Sequence, residues 1–215
     1  AEEVLRSSGY TLLLAITDER KERELDLMRI FQQRRVDAVI MTTSSEDDAY
    51  LSKQIKQLDV PIVLLDRENP PELDAVTLDH RRGIRAATEH LHGLGHTRIA
   101  LLTGKPSTWP ARERIAGFKE AYARLGKQAN QSIIRTGSFS AEFGFREASS
   151  LLSLPTRPTA IIAGGMAMLS GVLQAVRARG LVIPNDISVI AGADSDLAAL
   201  TTPSVTAVRW SGTCL

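Results

Sequence analysis

Apolar and polar positions switch between two periods along the whole chain. Short, largely apolar runs of the kind parallel strands need when covered on both faces predict strands over residues 11–16, 36–41, 62–65, 75–78, 99–102, 132–135, 160–163, 187–190 and 205–208. Between them the spacing becomes helical. Leu25, Met28, Phe31 and Gln32 mark one helix, and further helices are predicted over 46–58, 79–94, 111–125, 141–152 and 166–179. A helix also precedes Gly9, a residue suited to a left-handed helix end. Strand and helix alternating in this way predict an α/β fold, with parallel sheets flanked by helices.

The rhythm restarts at Asp79. Residues 1–78 are expected to form an amino-terminal lobe and 79–208 a second one, with 209–215 as a crossover back toward the first. No Ser/Gly-rich linker separates them, so the expectation is two lobes joined by chain crossings, with a cleft between. Ligands of open parallel sheets gather beyond the carboxyl ends of the strands, where several loops converge. Polar residues just past strand ends are therefore the first candidates.

Composition narrows the field. The 215 residues carry 26 Lys and Arg against 25 Asp and Glu, a net charge of +1, so no global field draws in nucleic acid or an anionic membrane. Hydrophobic residues at 43% and charged residues at 24% fit a soluble globular protein and not a disordered or collagenous one. No apolar run approaches the ~20 residues of a membrane-spanning helix. The single cysteine, Cys214, has no partner for an internal disulfide, which points to a reducing, cytoplasmic setting.

Three polar residues follow strand ends: Asp66, Arg114 and Asp194. Singly, such an aspartate is more often a turn or cap residue than a ligand group. As a set they carry more weight, because a guanidinium fork grips hydroxyls or a carboxylate while carboxylates accept from hydroxyls or amines. Phe139, just before a Ser140-capped helix, either lays its ring on a ligand or packs under its loop.

Other motifs fail on spacing. The segment 103–108 lacks the upstream glycine of a phosphate loop and has Pro106 where an amide donor is needed; Gly164-Gly165 lacks the dinucleotide spacing. No cofactor is expected. His90 and His92 lie two apart on a helix and point to different faces, so no metal site is expected, and a helix-ending turn is enough to explain His96. Without a legible nucleophile arrangement, the chain is not expected to be an enzyme.

Longer stretches carry a family likeness. Leu91-His92-Gly93-Leu94-Gly95-His96-Thr97-Arg98-Ile99-Ala100, Arg114-Ile115-Ala116-Gly117-Phe118 and Ile183-Pro184-Asn185-Asp186-Ile187-Ser188-Val189 resemble the lactose/galactose-repressor (LacI/GalR) family. Flanking text, including Val60-Pro61-Ile62-Val63-Leu64-Leu65-Asp66-Arg67, extends the likeness over about 95% of the chain. The resemblance implies the effector-binding and dimerisation core of a bacterial transcriptional regulator, with a two-lobed fold like that of periplasmic binding proteins. It implies a homodimer that binds a small polar effector (a sugar, sugar derivative or nucleoside) and changes operator affinity through lobe closure.

Matched position by position, the likeness makes Arg114 the effector-gripping arginine, Asp194 and Asp66 cleft aspartates, Phe139 the cleft aromatic and Trp210 another ligand-facing side chain. Family members carry a DNA-binding headpiece and a first strand ahead of Ala1, so operator contact is expected only through those absent parts. Two departures stand out. Gly165-Met166 replaces the Asn-Asp of many members, and Arg209-Trp210 runs straight into 211–215, as if a stretch were missing there. The rival reading is a free-standing periplasmic sugar receptor of a transport system.

Overall fold

The computed structural model describes residues 2–68, 72–126 and 133–210. Residue 132, Cys214 and the 210–211 junction therefore involve positions outside the described residues. The chain divides into two compact units, one of residues up to 65 with 72–75, the other of 66–68 with 76–210. Residues 66–68 go with the second unit because Asp66 is bonded to it: its N–H donates to the Val76 carbonyl at 2.7 Å and its Oδ1 accepts from the Leu78 N–H at 3.4 Å.

In the first unit, α1 (Glu2–Ser7), α2 (Lys21–Arg34) and α3 (Ala49–Lys56) accompany β1 (Val39–Met41), β2 (Ile62–Leu65) and β3 (Asp74–Val76), in sheet order β1-β2-β3. β1 and β2 are parallel, with Val39 opposite Ile62. Asp48 caps α3 by accepting from the Leu51 N–H at 3.0 Å, and that helix turns Leu51 and Ile55 onto Met28, Leu58, Ile62 and Leu64. The core is small. The strand expected over 11–16 does not form among the described residues: these positions carry no regular secondary structure, and Leu12, Leu13, Leu14 and Ile16 are exposed. An apolar run becomes a strand only where a neighbour completes its backbone hydrogen bonds.

The second unit alternates α4 (His80–Gly93), β4 (Ile99–Gly104), α5 (Trp109–Arg124), β5 (Ile134–Gly137), α6 (Ala141–Leu152), β6 (Ala160–Ala163), α7 (Met166–Ala178), β7 (Ser188–Ala191), α8 (Asp196–Leu200) and β8 (Thr206–Ala207). All neighbours in its sheet, β5-β4-β6-β7-β8, are parallel. Every residue of β4 and β6 is buried, as strands covered on both faces require. The helices pack closely. A Cβ on Gly171 of α7 would lie 2.0 Å from the Ala141 carbonyl oxygen, and one on Gly144 of α6 would lie 2.5 Å from that of Met168, so only glycine permits this approach.

Several boundaries moved, among them that of β1, which starts at Val39 and not at 36, and that of α3, which spans Ala49–Lys56 and not 46–58. β5 starts two residues after the predicted strand, because Arg135, Thr136 and Gly137 pair with β4 although their side chains break the apolar pattern. α5 starts at Trp109, with Pro110 in its first turn, where a missing N–H costs nothing. At the amino ends of the strands, His96 joins its neighbours: Nδ1 lies 2.8 Å from the Thr159 hydroxyl and Nε2 3.0 Å from that of Ser188.

The sheet order places a switch point between β4 and β6. From β4 the chain goes outward to β5, then returns to the other side of β4 to make β6. At such a point the loops leaving the two strands are expected to diverge at the carboxyl ends, the usual ligand position in open α/β sheets.

Candidate ligand-binding site

Arg114 lies on the second turn of α5, the helix that leaves β4 at the switch point. It is 6% exposed, and its Nε and Nη1 have no hydrogen-bond partner among the described residues. Burial lowers the guanidinium's pKa to about 10, against the opposing pull of the Asp66 charge. A buried donor left unpaired costs about 1–3 kcal/mol, more when charged, so the site holds an unmet demand for acceptors.

Phe139 supports that guanidinium. Its ring centre is 5.3 Å from Arg114 Cζ. The ring fills a slot between β4 and α7 that two glycines keep open: a Cβ on Gly104 would lie 2.1 Å from Phe139 Cε2, and one on Gly165 2.7 Å from Cδ1. The departure at Gly165-Met166 thus has a local reason, because a side chain at 165 would meet the Phe139 ring. The Phe139 ring packs against the core and lies under the arginine.

Asp66 follows β2 in a left-handed conformation, φ +54°, which aspartate tolerates better than most residues. Both of its carboxylate oxygens lie 2.8 Å from His80 Nε2. Its pKa is lowered: burial is the largest influence and raises it, but the His80 bond, the charges of His80 and Arg114 and the Leu78 N–H together outweigh burial. A carboxyl held below its ordinary value is ionised at neutral pH, and the Arg114 charge favours that form.

Asp194 lies beyond β7, past Gly192, whose N–H donates to the Ala163 carbonyl at 2.7 Å. Its Oδ2 accepts from Arg209 Nε at 2.7 Å, in an ion pair whose arginine is 81% exposed. Trp210 turns its ring edge-on to His80, centroids 5.4 Å apart, and Trp109 meets the same imidazole at 5.6 Å. Arg114, Asp66 and Phe139 are thus brought together, Asp194 is engaged by Arg209, and Trp210 reaches Asp66 through His80.

His80 and Trp109 were missed by reasoning from sequence. His80 opens a helix, where capping chemistry explains any polar residue, and Trp109 sits in a loop-to-helix segment with no apolar period. Their one available signal was chemical: Trp109 and Trp210 are the chain's two tryptophans. The described residues contain no group of His, Cys, Asp and Glu that could hold a metal ion, and no helix among them is long and apolar enough to cross a membrane.

Residues 88–212 match the periplasmic binding protein-like domain. The chain is 34% identical over 203 residues to the HTH-type transcriptional regulator DegA of Bacillus subtilis, covering 93% of this chain and 60% of that protein. It is also 34% identical over 204 residues to the ribose operon repressor of Escherichia coli, covering 94% and 61%. The crystal structure of the transcription regulator CcpA of Lactococcus lactis superposes with a TM-score of 0.86 at 25% identity, covering 95% of this chain and 75% of that one. The chain belongs to the periplasmic binding protein-like domain family, in the form found as the core of LacI-family regulators. It spans about three fifths of the length of those two relatives. Their names are those of regulators and repressors, which removes support from the transport-receptor alternative.

Proposed function

We propose that this chain is the effector-binding and dimerisation core of a bacterial transcriptional regulator, which takes a sugar, sugar derivative or nucleoside against Arg114. The observation that carries the reading is the buried guanidinium, unpaired at Nε and Nη1 and backed by the Phe139 ring beside an ionised Asp66. Such a group supplies donors at a fixed fork, while Asp66 supplies the acceptor, so a polyhydroxyl edge satisfies both. Asp194 becomes available when it leaves Arg209, an exchange favoured by the pair's exposure, since exposed ion pairs are worth about 0–1 kcal/mol.

The role is binding, and no bond is made or broken. A ligand shifts a two-state equilibrium only by its differential affinity for the two states, and closure as in LacI-family cores is the state the ligand selects. In the full-length dimer that shift changes operator affinity through the headpiece, in the cytoplasm.

A thermal-shift screen against sugars, sugar phosphates, sugar acids and nucleosides tests the reading. Ligand at 100 times its dissociation constant adds about 2.7 kcal/mol, a melting shift of roughly 5–10 °C for a chain of this size. Arg114→Ala abolishes that shift; a shift that survives the substitution removes Arg114 from the site.

A further inference from the structure

His80 is buried to 1% exposure at the start of α4, an unusual place for an imidazole unless it is fixed there. Its ring is held by Trp109 at 5.6 Å and Trp210 at 5.4 Å, with interplanar angles of 58° and 83°. Its Nε2 stands 2.8 Å from each oxygen of Asp66, and its Nδ1 has no hydrogen-bond partner among the described residues. We infer that His80 is a positioning residue, whose Nε2–H donates to Asp66 and fixes that carboxylate beside Arg114, and that Trp210 acts on the site through this imidazole.

The chemistry is constrained. An ionised carboxylate only accepts, so Nε2 must carry the proton, and a neutral ring then leaves Nδ1 as a buried lone pair. A second proton at Nδ1 would create a buried cation with an unpaired donor. The charged groups acting on the ring are Asp66 from the loop after β2, Asp79 beside it at the cap of α4 and Arg114 from α5. Burial is the largest influence and lowers the imidazole's pKa, the Asp66 bond opposes it, the Arg114 charge adds to burial, and the charges of Asp66 and Asp79 oppose it. The net direction is down, toward a neutral ring at physiological pH. Protonation in acid would make Asp66 a counter-ion to two cations and no longer a free acceptor for a ligand hydroxyl.

The inference rests on the reading that Arg114 and Asp66 hold the ligand, but its first test needs no ligand. In the whole chain, nitrogen-15 spectra of the four histidines should show, at neutral pH, one Nε2–H tautomer that titrates below the ordinary histidine value. Both tryptophans flank this ring, so their emission should follow the same midpoint. His80→Gln, which keeps a neutral N–H donor but loses the charge that the imidazole gains in acid, should remove the emission step and raise the Asp66 midpoint less than His80→Phe does, since the latter loses both donor and charge. An Nδ1–H tautomer in the unaltered chain, an emission step that survives in His80→Gln, or an unmoved Asp66 midpoint in His80→Phe would overturn the inference.

The probes for binding are D-ribose, D-glucose, D-gluconate, ribose 5-phosphate and adenosine. Any of them that shifts the wild-type melt should bind about tenfold more weakly to His80→Phe and within about threefold of wild type to His80→Gln. Equal weakening by both substitutions counts against positioning. No binding by any probe, with tautomer and midpoints as expected, supports the Asp66–His80 arrangement and counts against the ligand reading alone.

Discussion

In the second unit, Ile99, Ala100, Leu101 and Leu102 of β4 have no exposed surface, whereas in the first, Ile40 of β1 is 52% exposed and Leu14, in an equally apolar run, 83%. The difference lies in the neighbours. β4 has β5 and β6 as strand partners, and buried side chains of α4, α5 and α6 join it in one core. Residues 11–16 have no strand partner among the described residues. Burial, more than the hydrophobicity of a segment, decides how much that segment stabilises the chain.

The steepest way to break this contrast is Leu101→Ala, which should cost about 3 kcal/mol through lost transfer energy and a cavity that β5 and β6 cannot collapse, read as a lower urea midpoint. Arg114→Met should move the other way. It removes a buried charge whose Nε and Nη1 are unpaired, so the unliganded chain should gain about 1–2 kcal/mol while ligand response is lost. A loss of stability in that variant would mean that the guanidinium is satisfied without ligand.

Acid sharpens the comparison further. The fold holds the pKa of His80 below 6.5 and that of Asp66 below 3.8, so the unfolded chain binds more protons at low pH. Stability that is complete above pH 6.5 is lost first as pH falls through the folded value of His80, then further through that of Asp66. Melting temperature should therefore drop between pH 7 and 5, and less steeply in His80→Gln, with His96 supplying a remainder of the same sign. The smallest effect is expected for Leu14→Ala, within about 0.5 kcal/mol of wild type in the same urea experiment.

Much of the second unit was legible because its signals were local and agreed with one another. β6 and α6 fall on their predicted residues, since four consecutive buried apolar positions or a Ser140 cap leave little room for alternatives. The strand over 11–16 was misread because pairing is not a property of the segment. At the site, strand-end position was enough to nominate Arg114 and Asp66. The bond from His80 to Asp66 joins residues 14 apart through a left-handed turn, and no periodicity encodes it. Phe139 was left between two roles for a similar reason: its slot is defined by the emptiness of Gly104 and Gly165, which only folding brings together.

His96, bridging the hydroxyls of Thr159 and Ser188, pins the foundation of the second sheet on the side away from the crevice. Adjustment to a ligand bound as proposed would then be expressed at the rim. If the site binds as proposed, its selectivity would be open to change by exchanging rim side chains alone, with the pinned base left as inherited.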